Sequence, residues 1–353
     1  MLSFEAFKEK VKNEIVNYMP PKYSNEIFEI VDLTKQNDKK HAALVMVKEQ
    51  EIIPNLFLEE YYEQYLENGD MEGLLQKVAR NYVDCMEQTG EVLTFELKDY
   101  MQVKERLYLS VLNNEKNSEY LQGICQREVP GTDLTAVVRV LCGDDKEMGV
   151  TAFAVNDSHL SLWGVTPEEV YAQAYQNTPE LFPPLLTSMK DTLRELSFNT
   201  VTAPLMEIFL QSMAETEEAK PYALAAKEQY ILTNQQKMHG ATTLLYADTL
   251  QKIAEETGSS YFILPSSIHE LILMKDDGEI CAEELQAMVM EINRTEVSPE
   301  EVLSDEVFCY DSHTHMLYMA TEKEHTKMLA DHFLPNGIDY ASSDFDMETE
   351  EER

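Results

Sequence analysis

Tyr230-Ile-Leu-Thr-Asn234, Ala241-Thr-Thr-Leu-Leu-Tyr246, Tyr261-Phe-Ile-Leu264 and His269-Glu-Leu-Ile-Leu-Met274 follow one another between Tyr230 and Lys275. These four apolar runs have the length of strands and bracket one amphipathic helix between Tyr246 and Tyr261. Pro265-Ser-Ser267 separates the last two and reads as the corner between them. Short strands joined by short polar turns pair antiparallel, because a parallel return needs a crossover of a dozen residues or more. A sheet of this kind buries one or both faces under helices. The stretch therefore predicts an α+β fold.

The flanking sequence supports that class. Ser3 is placed to cap a helix whose apolar face is Phe4, Phe7, Val11 and Ile15, with Leu2 and Phe7 as a hydrophobic staple and Pro20-Pro21 as its end. Ile27–Val31 and Ala42–Val47 read as strands around a polar Lys35–Lys40 turn. A Tyr-rich helix follows over about 56–67, with Asn68-Gly69 as its C-cap and Asp70 capping the next helix. Leu134–Leu141 and Gly149–Val155 are β-branched runs and read as strands. His159–Trp163 is expected as a short strand. Thr166-Pro167 opens a helix to Asn177, which Pro179 breaks. Helices are expected near 185–195, 204–214, 281–293 and 321–333, and a hairpin at Val307–Tyr310 with Met316–Met319. The order strand, strand, helix recurs near 27–67, 134–177 and 230–258. It predicts mainly antiparallel sheets built from repeated strand-strand-helix units with helices on the sheet faces. The expected division is an N-terminal α+β lobe at 1–125, a C-terminal α+β lobe at 126–335 and an acidic, disordered tail at 336–353.

Charge narrows the function. Asp and Glu number 65 against 28 Lys and Arg, leaving −37, and the segment from Asp339 to Arg353 holds only seven of those acids. The acidity is general. A surface of this sign repels phosphate, so neither direct nucleic-acid binding nor an anionic membrane fits it. A protein partner, basic in charge, does. Met1–Lys8 is amphipathic and charged, unlike a signal peptide, and no run approaches the ~18 apolar residues of a membrane helix. The five cysteines are scattered without CxxC spacing, which suits a reduced, cytoplasmic setting. Glycine is sparse, at 12, and neither a dinucleotide fingerprint nor a P-loop occurs. No cofactor is expected.

Three segments carry a resemblance. They are Glu115–Leu121 leading into Asp133–Val138; Trp163–Val170 with Ala174–Asn177; and Tyr230–Asn234, Gly240-Ala241, Leu244–Tyr246 and Ile263–Glu270, followed by Glu300–Asp305. Together the chain resembles an uncharacterised domain-of-unknown-function family (family 5688) of gut Firmicutes. The resemblance implies a bacterial habitat and one unit spanning most of residues 1–320, and it brings no activity.

Few side chains suggest chemistry. Ser266, Ser267, His269 and Glu270 cluster in sequence, and Ser267 and His269 share a strand face. A serine nucleophile needs such a base, oriented by a third group. There is no nucleophile elbow, and Pro-Ser-Ser is also ordinary turn chemistry. Asp311, His313 and His315 alternate on one face as metal ligands can, with His325 and His332 following, but they sit where a hairpin must turn. Trp163 is the sole tryptophan, a core anchor or a ligand platform. Asn156–His159 reads as an Asx-turn or a pocket rim. Asn177 and Gly240 complete the binding candidates, Gly240 being read as the residue that supplies a positive φ. These residues suggest a non-catalytic protein-interaction module first. The alternatives are a hydrolase or metal-dependent enzyme using Ser266–Glu270 or Asp311–His315, and an acidic decoy of a nucleic-acid-binding protein.

Overall fold

The computed structural model describes residues 1–47, 55–92, 97–145, 149–192 and 221–322. The expected helix at 204–214, all but the start of that at 321–333, His325, His332 and the acidic tail lie outside the described residues. The described chain has helices and three antiparallel sheets, an α+β fold. It divides into two compact units that interleave in sequence. The first comprises Met1–Leu107, Lys116–Cys125 and Val138–Gln173; the second takes Tyr108–Glu115, Gln126–Val137 and the chain from Ala174 onward. Among the described residues no helix is long and apolar enough to cross a membrane.

The first unit opens with α1 (Phe4–Glu14), whose N-cap Ser3 accepts the Ala6 N–H. Phe7, Val11 and Ile15 are fully buried, as their helical spacing requires. A hairpin of β1 (Phe28–Thr34) and β2 (Lys40–Met46) extends to the short β3 (Leu56–Phe57). Two helices, α2 (Glu59–Asn68) and α3 (Met71–Val92), complete the core. Gly69 takes φ 70° at the end of α2, and Asp70 caps α3 by accepting the Gly73 N–H. Phe4, Phe7, Tyr62 and Tyr65 stack into one aromatic cluster, and the Tyr82 hydroxyl accepts the Met46 N–H at 2.8 Å. Burying the phenol pushes its pKa up to about 12. The β1–β2 turn is held from outside the hairpin. Asn37 and Asp38 sit at positive φ. The Asn37 N–H donates to Asn117 Oδ1 at 2.6 Å, and Asn117 Nδ2 returns a bond to Asn37 Oδ1 at 2.9 Å. Asp38 accepts the N–H groups of Glu119 and Tyr120.

Next in the chain come α4 (Tyr100–Val103), β4 (Leu107–Asn113), β5 (Gln126–Glu128), β6 (Leu134–Asp145) and β7 (Gly149–Ala154). Their sheet has the order β4-β6-β5, with β7 also pairing β6. The expected strand at His159–Trp163 is instead a helix, α5 (Asp157–Trp163). Asn156 and His159 form a reciprocal capping box there, a local hydrogen-bond gain that outweighs the strand propensity of the segment. The following helix, α6 (Pro167–Leu181), does not stop at Asn177 but runs through Pro179. Proline removes one N–H in the last turn, where Phe182 N–H still reaches Thr178 O and the Thr178 hydroxyl bonds Ala174 O.

The second unit centres on a six-stranded sheet ordered β13-β12-β10-β11-β9-β8. Its strands are β8 (Pro184–Ser188), β9 (Gln229–Asn234), β10 (Tyr261–Ser267), β11 (Glu270–Lys275), β12 (Phe308–Tyr310) and β13 (Leu317–Met319). β8 takes residues 185–188 at the start of the helix expected near 185–195, residues 189–192 are helical as expected, and 193–195 lie outside the described residues. The apolar residues of β8 pair with β9, from Pro184↔Asn234 to Ser188↔Tyr230. Two helices, α7 (Ala247–Thr257) and α8 (Ala282–Thr295), cover the sheet. Leu285 and Val289 of α8 pack on Phe262, Leu264, Cys309 and Tyr318. Tyr261, which points to the opposite face, donates to the Leu250 carbonyl of α7 at 3.0 Å. β10 is thus covered on both faces, which is why it reads as an unbroken apolar run rather than an alternating one.

Two further expectations change here. Residues 240–245 are a buried 3-10 helix, not a strand. The corner between β10 and β11 is Ile268-His269, since Ser267 already pairs with Glu270 and Ser266 is bulged out of register. Pro265 is accommodated inside β10 because pairing with β12 ends at Ile263.

Replacing Asn117 by Ala removes both bonds to the β1–β2 turn from a site with no exposure. The expected loss is about 2–3 kcal/mol in urea unfolding, with amide exchange rising first at Asn37 and Asp38.

Candidate functional site

The loop from β9 to the 3-10 turn brings the central polar groups together. Lys237 (φ 55°) and His239 (φ 49°) both occupy the left-handed region without being glycine. Asn234 ties the loop down, its amide donating to the Met238 carbonyl at 2.8 Å and accepting the Met238 N–H at 3.3 Å. The His239 N–H then donates to His269 Nδ1 at 3.2 Å. The two imidazoles lie parallel, 3° apart in plane with centroids 6.1 Å apart. Because His269 Nδ1 accepts, the proton of the neutral ring sits on Nε2, which faces Glu301 Oε1 at 3.8 Å. On the far side of His239, its Nδ1 lies 3.4 Å from the Tyr108 hydroxyl.

Gly240 is not the residue with positive φ; His239 is. Glycine is required at 240 by close approach. A Cβ there would lie 2.0 Å from Thr233 Oγ1 and 2.2 Å from the His269 carbonyl oxygen. Thr233 Oγ1 donates to that same carbonyl at 2.7 Å, and Ala241 N–H donates to Ile268 O at 3.2 Å. The loop is therefore bonded along its length to the β10–β11 turn.

Within that turn the sequence-predicted residues are neighbours with structural partners. Ser266 Oγ donates to the Glu270 carboxylate at 3.3 Å. Ser267 Oγ accepts the His269 N–H at 3.0 Å. The imidazole of His269 bonds the His239 backbone, and the serine hydroxyls bond elsewhere. In the loop after β12, Asp311 accepts the N–H groups of His313 and Thr314, both at 2.9 Å. His313 and His315 are exposed, and His315 Nδ1 lies 3.4 Å from the Tyr310 hydroxyl. Among the described residues no three His, Cys, Asp or Glu side chains gather closely enough to hold a metal ion. None of the five cysteines forms a disulfide.

Trp163 and Asn177 stand apart from this cluster in the chain. Trp163 donates from Nε1 to the Leu97 carbonyl at 2.7 Å and stacks on His159, whose pKa burial lowers. Asn177 is buried in α6 beside Thr178, whose Oγ1 accepts the Leu109 N–H at 2.9 Å.

The sequence reading missed a second polar focus. Ser304, with no exposure, donates toward both oxygens of Asp133 at 2.7 and 2.9 Å. Asn113 Nδ2 adds a bond to Asp133 Oδ2 at 2.7 Å, and Ser304 Oγ accepts the Glu306 N–H. Burial, then the nearby Asp133 charge, raises the Glu306 pKa. The signal was available: Asp133 and Ser304 each lie in a segment carrying the family resemblance. Nothing in residue type or spacing, however, linked positions 171 apart.

Comparison with known proteins gives one match. A model described as a family of unknown function (DUF5688) covers residues 4–312. No curated protein and no solved structure matches the chain.

Gly240→Ala is expected to cost about 2–4 kcal/mol, read as a lowered thermal midpoint, because the obstructing atom at His269 is backbone. Asp311 gives a pH test. Burial pushes its carboxyl up, but the Thr314 and His313 N–H groups outweigh this and hold it below the usual range. A depressed folded pKa means the loop is stabilised above the unfolded value near ~3.9. That contribution is lost as pH falls through the folded value. NMR should show the His313 and Thr314 amides losing protection only below pH ~4, and Asp311→Ala should abolish the step.

Proposed function

The chain belongs to the family of unknown function whose model covers residues 4–312, and we propose that it acts as a non-catalytic module that binds a basic protein. The observation that carries this reading is the commitment of the candidate polar side chains to turn geometry. Ser267 caps the His269 N–H, Ser266 reaches Glu270, and His269 Nδ1 holds the His239 backbone. A nucleophile must instead offer its hydroxyl to a base. Asp311 is likewise occupied by two backbone N–H groups, leaving less of it for a cation. The net charge of −37 supports a basic partner by raising encounter rates and by excluding acidic competitors.

Affinity capture with purified chain from a bacterial lysate, at low and high salt, tests this. Lys/Arg-rich partners are expected at low salt, weakening about tenfold or more as salt screens the pair. His269→Ala and Ser267→Ala should leave capture unchanged. In parallel, ester, phosphoester and peptide substrates are offered to the same samples. Turnover that disappears in either variant would establish the hydrolase reading and end this one.

A further inference from the structure

A cleft on the first unit takes no part in the protein-binding reading. It holds about 340 Å³, within the ~300–1,000 Å³ of small-molecule sites. One wall is Tyr18 and Pro20, in the turns that follow α1. The other is α3, which presents Gln76, Ala79, Arg80, Val83 and Asp84. These five fall on one helical face, because side chains three and four apart stand above one another.

The cleft is divided by chemistry. Ala79, at 2% exposure, and half-buried Val83 join Pro20 and the Tyr18 ring as an apolar floor. Gln76, Arg80 and Asp84 are exposed and follow one another up the rim, one turn apart. Their side chains have no hydrogen-bond or ion-pair partner among the described residues. Arg80 and Asp84 carry opposite charges at i and i+4, yet they do not pair. Their order is the reason: a cation on the N-terminal side of the acid runs against the helix dipole and is the weaker arrangement. By contrast Lys8, Lys10 and Lys12 of α1 each hold a carboxylate, as expected where 65 Asp and Glu face 28 Lys and Arg.

We propose that this cleft binds a free α-amino acid with an apolar side chain. The Arg80 guanidinium takes the carboxylate through its forked donors, with the Gln76 amide one turn away as a further donor. Asp84 takes the ammonium. The two charged groups of an α-amino acid share one carbon, and Cβ atoms four apart on a helix lie ~5–6 Å apart, so one zwitterion reaches both heads. Its side chain then lies on the floor of Ala79, Val83, Pro20 and Tyr18. The guest supplies the ion pairs that Arg80 and Asp84 do not make with each other. A zwitterion also suits the chain's charge of −37, which repels a simple anion but not a net-neutral molecule.

The test titrates the full chain with L-leucine and L-phenylalanine and follows the α3 amides by NMR. The cleft is open to solvent, so saturable binding is expected to be weak, with Kd about 1 mM. Phenethylamine, which lacks the carboxylate, and 3-phenylpropanoate, which lacks the ammonium, should each bind about tenfold more weakly than L-phenylalanine. Arg80→Gln should weaken L-phenylalanine about tenfold and leave phenethylamine unchanged or tighter. Asp84→Asn should weaken L-phenylalanine similarly and leave 3-phenylpropanoate unchanged or tighter. Both side chains are exposed, so neither variant should lower the thermal midpoint. Lys77→Gln, off this face, should bind as wild type does. Absence of saturable binding of both amino acids by wild type overturns the proposal. So does an Arg80→Gln or Asp84→Asn protein that binds L-phenylalanine as wild type does, or an analogue that binds as tightly as L-phenylalanine.

Discussion

At Gly240 the loop after β9 lies so close to the β10–β11 turn that a methyl group would overlap the His269 carbonyl. That approach fixes much else in the second unit. It lets Thr233 and Ala241 bond the carbonyls of His269 and Ile268. It sets the His239 N–H on His269 Nδ1 and lays the two imidazoles parallel. With the loop pinned at both ends, the backbone between must turn sharply. The positive φ values of Lys237 and His239 are the result. Met238 and His239 are thereby held over the buried ring of Tyr108 and the hydroxyl of Thr242.

Beside this approach, the suggestive side chains of the β10–β11 turn have structural partners. Tight turns leave backbone N–H groups that must find acceptors. In this chain Ser267, His269, Asp38, Asp99, Asn156 and Asp311 supply them. A side chain that satisfies a backbone donor is fixed in place and partly spent as a base or ligand. Acidic residues are abundant enough to serve these turns while still leaving the chain strongly negative.

Much of the fold was legible where the local signal and the tertiary environment agree. Ser3, Gly69 and Asp70 cap the helices their spacing predicts, and Phe7, Val11 and Ile15 are buried as one stripe. The misreadings share one cause. His159–Trp163, Ala241–Tyr246 and 184–188, at the start of the helix expected near 185–195, are short runs, and a short run has no period long enough to separate helix from strand. Capping at Asn156 decided the first, crowding against Thr233 and His269 the second, and pairing with β9 the third.

By itself, the sequence determined the class of the fold, the position of most caps and turns, the acidity, and the family. All of these rest on residues near one another in the chain or on simple sums over it. Tertiary structure alone decided that Asp133 meets Ser304, that Asn117 clasps Asn37, that Gly240 serves close approach, and that Thr242 is buried without a partner. Each depends on which distant backbone comes within hydrogen-bond reach. That is set by how the strands pair and the helices pack, and no local pattern encodes it.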